Sequence, residues 1–223
     1  MIKRNIPNLL TCLNLTCGLL AIMTDDLELG VYLVIAGGIF DVFDGLSARI
    51  LSVSSKIGGE LDSLADVVSF GVAPAILFYK AFAISGQWWY LLGPIFIVLA
   101  GAIRLARFNV SESKSSYFEG LAIPATGLLL CGLVYARDLL PWMGQFFWIY
   151  LLTASLLASL NVSTFKLFSF KQFGETKIKV YFAIIAVIGL ICAFLEPTLC
   201  LAVLLSSYIL IAVANSFSVH EAA

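Results

Sequence analysis

The chain has 223 residues, of which 61% are hydrophobic and only 12% charged, with a formal net charge of −1. Ordinary soluble domains are about 45–50% apolar and about 25% charged, so this composition and a mean hydropathy of +1.02 exclude a soluble globular protein. The near-neutral balance gives no reason to expect nucleic acid as a partner, and the all-α, polytopic membrane class remains.

A transmembrane helix needs about 17–25 mostly apolar residues. Eight stretches fit, at 7–24, 29–49, 61–84, 88–108, 121–140, 143–163, 179–195 and 197–216. The N-terminal run M-I-K-R-N-I-P-N-L-L-T lacks a small-residue cleavage site and reads as a retained first span. The third stretch is the weakest, because Asp62 and Asp66 fall in its first two turns. Longer polar connections lie at 50–60, 110–120 and 164–178. The five cysteines are scattered through apolar segments without metal-site spacing and read as small buried hydrophobes. No repeat or separate soluble domain interrupts the chain, so one membrane domain over 1–223 is expected.

Eight spans with a cytoplasmic N-terminus place Lys3, Arg4, Arg49, Lys56, Arg104, Arg107, Lys114, Lys166, Lys171, Lys177 and Lys179 inside. Only Lys80 and Arg137 of the 13 basic residues fall outside. That bias follows the positive-inside rule, and the Trp88-Trp89-Tyr90 cluster suits an interfacial belt on the outer side. Both termini are then cytoplasmic.

The same topology puts four aspartates, Asp41, Asp44, Asp62 and Asp66, near the cytoplasmic face within otherwise apolar sequence. Ionised groups at membrane depth are costly and commonly mark function. On a helix, Asp44 lies about −60° from Asp41, Ala48 about −20°, Gly45 about +40° and Arg49 about +80°. Gly58, Asp62, Asp66 and Ser69 share an arc of about 80° on the next helix. Two facing helices would thus each present a carboxylate pair. Such pairs repel unless protonated or bridged by cations, and oxygen-only ligands favour Mg²⁺, Mn²⁺ or Ca²⁺. Two such ions would balance four charges and suit phosphoryl transfer. Gly45, Ala48, Gly58 and Gly59 would leave room for a bulky ligand, and Arg49 offers a phosphate-matching fork. Ser52, Ser54 and Ser55 add hydroxyls. A path for ions or protons is the rival reading of intramembrane acids, and glycines in membrane helices also serve plain helix packing.

The full spacing, Asp41-x2-Asp44-Gly45-x2-Ala48-Arg49-x8-Gly58-x3-Asp62-x3-Asp66, resembles the complete signature of the CDP-alcohol phosphotransferases. Within that family, P-N-L-L-T-C-L-N-L-T-C-G (7–18), D-S-L-A-D-V-V-S-F-G-V-A-P-A (62–75), R-L-A-R-F-N (104–109) and F-E-G-L-A-I-P-A-T (118–126) resemble the serine-accepting phosphatidyltransferases. The likeness covers roughly the first 130 residues, with Ala122 where proline is expected. It implies a six-helix core plus two further helices, a homodimer in the cell (inner) membrane, and transfer of a phosphatidyl group from CDP-diacylglycerol to L-serine. It also implies that Asp41, Asp44, Asp62 and Asp66 bind two divalent ions and that Asp66 is the general base. The only histidine, His220, sits in the C-terminal tail, and no Ser/His/Asp or Cys/His arrangement competes for that role. Gly45, Ala48, Arg49, Ser55 and Gly58, with Asn8 and Thr11, are matched to the donor pocket. Arg104, Arg107, Asn109, Lys114 and Glu119 are candidates for the serine carboxylate or the phosphates, although arginines at a cytoplasmic helix end also serve as plain anchors. Other acceptors (glycerol 3-phosphate, an inositol phosphate), an ether-lipid donor and, in a different class, a divalent-cation transporter remain open at this point.

Overall fold

The computed structural model describes residues 2–53, 55–84, 87–110, 118–167 and 176–220, with side chains placed for all except 2–4, 118–119, 166–167, 176–177 and 216–220. Eight principal helices follow one another: α1 (Ile2–Met23), α2 (Leu27–Ile50), α3 (Lys56–Phe82), α4 (Leu92–Val110), α5 (Ile123–Tyr135), α6 (Phe147–Val162), α7 (Thr176–Leu195) and α8 (Cys200–His220). Two-residue strands β1 (Phe118–Glu119) and β2 (Lys166–Leu167) pair antiparallel between them. The all-α expectation holds apart from this small ladder.

Six of the described helical segments are long and apolar enough to cross a membrane, while α5 and α6 are shorter. At 13 and 16 residues they reach only about 20 and 24 Å, against a hydrocarbon thickness of about 30 Å. The sequence places spans at 121–140 and 143–163; the structure trims both. Pro124 fits only the first turn of a helix, so α5 starts at Ile123. It stops at Ala136, which leads into a tight turn at Arg137–Leu139. Large side chains such as Leu152, Leu190, Phe194 and Leu210 face outward from the bundle, as lipid contact requires. The protein is an integral membrane protein.

Local chemistry fixes both ends of α2 and the start of α3. Asp26 caps α2 by accepting from the amides of Glu28 and Leu29 at 2.9 and 3.1 Å. At the other end Val53 N–H bonds Ala48 O and Ser52 N–H bonds Arg49 O, with Ser52 at φ 51°. This is a Schellman stop with serine in the left-handed position. Ser55 then caps α3, accepting from Gly58 N–H at 2.9 Å. The third helix accordingly begins at Lys56 rather than at 61, and both acids on it are well inside the helical run.

Immediately after Asp66, α3 widens into a π-helical turn at Val67–Val72. Ala73 N–H reaches back five residues to Val68 O, and Pro74 next to it has no N–H with which to restore the α pattern. Neighbours pack onto this turn backbone to backbone. A Cβ at Gly127 of α5 would lie 2.5 Å from Phe70 O, and one at Gly18 of α1 would lie 2.7 Å from Ser69 Cα. Toward the opposite end the core is aromatic: Phe78 stacks on Tyr150 at 4.7 Å. Tyr150 Oη donates to Tyr90 O and Tyr90 Oη to Gly144 O. The acid-bearing end of the bundle is thus built on a tightly packed base.

Candidate active site

α1, α2 and the first half of α3 converge on the four aspartates. One carboxylate oxygen from each of Asp41, Asp62 and Asp66 lies within 4.8 Å of the others. Asp44 stands slightly apart, 7% exposed, and accepts from Thr11 Oγ1 at 2.6 Å. Thr11 also approaches Pro7 O at 3.1 Å, which orients its hydroxyl along α1. Asp62 Oδ1 and Asp66 Oδ1 are buried and have no hydrogen-bond partner. An ionised carboxylate only accepts, so these three crowded acids cannot satisfy one another when all are ionised. Their oxygen-only donor set, with two buried oxygens left unbonded, fits a hard divalent cation.

A cavity of about 240 Å³ opens beside this cluster. Asp44 and Asp62 form its acidic wall. Asn8 and Thr11 of α1, Gly45 and Ala48 of α2, and Ser55 and Gly58 at the head of α3 complete it. Every residue matched to the donor pocket therefore lines one space, except Arg49, which is exposed at the end of α2 and does not line it. A Cβ on Gly45 would meet nothing within 4 Å, so that side is open to a ligand. Gly58 differs: its Cβ would come within 2.9 Å of Asn8 Oδ1, so it permits close approach of α3 to α1. Ser55 is already engaged as the α3 cap.

The residues considered for the acceptor separate. Arg104 is within electrostatic reach of Asp66, and its Nε is buried without a partner. Arg107 instead donates to Val162 O at 3.1 Å, closing the C-terminus of α6. Asn109 Nδ2 donates to Ser63 Oγ at 3.0 Å, tying α4 to α3 beside Asp62. Lys114 lies outside the described residues, and of Glu119 only the backbone is described, in β1 opposite Lys166. Arg107→Ala should therefore lower the thermal midpoint in detergent by an amount equivalent to about 1 kcal/mol, one lost hydrogen bond. Its effect on the serine KM should be slight, and a large rise in that KM would return Arg107 to the acceptor site. Serine 63 and the π turn carried no legible signal beyond Pro74. Ser63 is simply the residue after a motif aspartate.

A multi-helix membrane bundle with a carboxylate cluster beside a cavity at one end is a membrane-embedded site whose acids could hold a divalent cation. A family model described as CDP-alcohol phosphatidyltransferase matches residues 4–217. The chain belongs to that family. A Helicobacter pylori protein named CDP-diacylglycerol–serine O-phosphatidyltransferase is 32% identical over 211 residues, covering 92% of this chain and 87% of its own. A Methanocaldococcus jannaschii protein of the same name is 47% identical over 127 residues. That match covers 57% of this chain and 59% of the archaeal protein's length. An archaetidylserine synthase from Methanothermobacter thermautotrophicus is 39% identical over 130 residues, covering 56% of this chain and 55% of its own.

Proposed function

We propose that the protein transfers a phosphatidyl group from CDP-diacylglycerol to L-serine, yielding phosphatidylserine and CMP. The observation that carries this reading is the cluster of Asp41, Asp62 and Asp66 with its orphaned oxygens, opening onto the glycine-lined cavity. Relatives named for the same reaction support the choice of serine.

The nucleotide head of the donor occupies the cavity between Asn8, Thr11 and Gly45, while its acyl chains stay in the bilayer. Asp41, Asp62 and Asp66 would hold one divalent ion, and Asp44 with Asp62 would be placed to hold a second. Bound there, Mg²⁺ or Mn²⁺ supplies positive charge against the pyrophosphate oxygens and the departing CMP. Asp66 accepts the proton of the serine hydroxyl. The serine oxygen forms a bond to the phosphorus that carries diacylglycerol, and the bond from that phosphorus to the bridging pyrophosphate oxygen breaks. Arg104, beside Asp66, faces the incoming anionic groups. The site opens on the cytoplasmic side of the cell membrane, consistent with the distribution of basic residues.

The test is CMP release by purified protein in detergent with Mn²⁺ or Mg²⁺, scored over serine, glycerol 3-phosphate and an inositol phosphate. Serine alone should support release, and chelator should stop it. Equal release with another acceptor would overturn the serine assignment while leaving the family chemistry intact. The archaetidylserine synthase relative makes an ether-linked donor the second reading, so the donor panel includes one.

A further inference from the structure

Asn14 projects from α1 into the seam between α2 and α3. It is 0% exposed, and neither Oδ1 nor Nδ2 has a hydrogen-bond partner. Buried polar groups are nearly always paired, and this amide has both ends open to a further partner. Its neighbours fix its height. Oδ1 is 2.9 Å from the point a Cβ on Gly37 would occupy, and the Asn14 carbonyl accepts from Ser69 Oγ at 2.9 Å. One turn earlier on α1, Thr11 holds Asp44. On α2, Gly37 precedes Asp41 by four residues, about one helical turn. On α3, Ser69 follows Asp66 by three residues. Asn14, against Gly37 and Ser69, therefore lies about one helical turn from Asp41 and Asp66.

We propose that Asn14 is a positioning residue for this cluster: its Nδ2–H donates to the Asp41 carboxylate when the acids are drawn around a divalent cation, fixing which oxygen faces the ion. A neutral amide suits the place because it brings a donor without adding a further negative charge. The inference rests on reading the cluster as a cation site. Thr11, Asn14 and Gly18 share one face of α1 at the spacing a helix requires, so the position was visible in the sequence, although nothing there marked it as part of the acid site.

The experiment is titration of detergent-solubilised protein with Mn²⁺ alone, following loss of the free-ion electron paramagnetic resonance signal, for wild type, Asn14→Leu and Asp41→Asn. Partners in the shell outside metal ligands are worth about 10–100-fold in metal affinity, and a loss of that size is expected for Asn14→Leu. Its melting temperature without metal should be unchanged or higher, because an apolar group replaces unsatisfied polar atoms. If leucine prevents folding, Asn14→Ala, which cannot crowd Gly37, is read the same way. Wild-type Mn²⁺ uptake by a folded Asn14 variant would overturn the proposal. Failure of the wild type to take up Mn²⁺, or unchanged uptake by Asp41→Asn, would instead overturn the cation-site reading and the proposal with it.

Discussion

Asp66→Asn should lower serine-dependent CMP release by about 10²–10⁴-fold, the range a positioned general base contributes. Asp66 is the natural candidate because its Oδ1 is buried and unpartnered and it lies against both Asp41 and Asp62. No histidine accompanies it, since His220 is the only one and sits near the C-terminus. The substitution keeps shape and removes a negative charge from a crowded group, so the metal-free protein should melt no lower than wild type. Turnover and thermal midpoint measured on the same preparation separate lost chemistry from lost fold. Near-normal turnover with intact protein would remove Asp66 as the base.

Gly127→Ala should be strongly disruptive to the bundle. The added Cβ would fall 2.5 Å from Phe70 O and 2.9 Å from Phe70 Cα, and backbone cannot step aside as a side chain can. Overpacking of this kind costs about 1–3 kcal/mol. The strain would pass into the π turn directly behind Asp66, so turnover should fall along with the melting temperature. Gly45→Ala provides the contrast. Its Cβ meets nothing within 4 Å, so stability should be preserved while the KM for CDP-diacylglycerol rises as the cavity narrows. If Gly127→Ala melts like wild type, the tight α5 contact on the π turn is not what seats Asp66.

The acid site was legible because its information is local. Two i,i+3 or i,i+4 pairs on consecutive helices must face one another once the short link 51–55 closes, and Asp41, Asp62 and Asp66 do so. Asn8, Thr11, Gly45, Ala48, Ser55 and Gly58 likewise meet in one cavity. What escaped the sequence depends on distant partners. Arg107 reads as an anchor or anion binder until Val162 O is seen in front of it. Asn109 reads as a site residue, and its bond to Ser63, next to Asp62, could not be foreseen. The π turn combines Pro74 with the close packing of Gly18 on Ser69 and of Gly127 on Phe70, two glycines far from it in sequence. Hydropathy found α5 and α6 but overestimated their length, because apolar residues continue past the turns that end the helices.

Anomalous scattering from crystals soaked in Mn²⁺ tests directly whether the aspartates form a cation site. Peaks should appear between Asp41, Asp62 and Asp66, with a second near Asp44, and should vanish in Asp41→Asn. Four aspartates turned away from one another, with no peak at saturating Mn²⁺, would contradict the assignment of this cluster as the centre of the reaction.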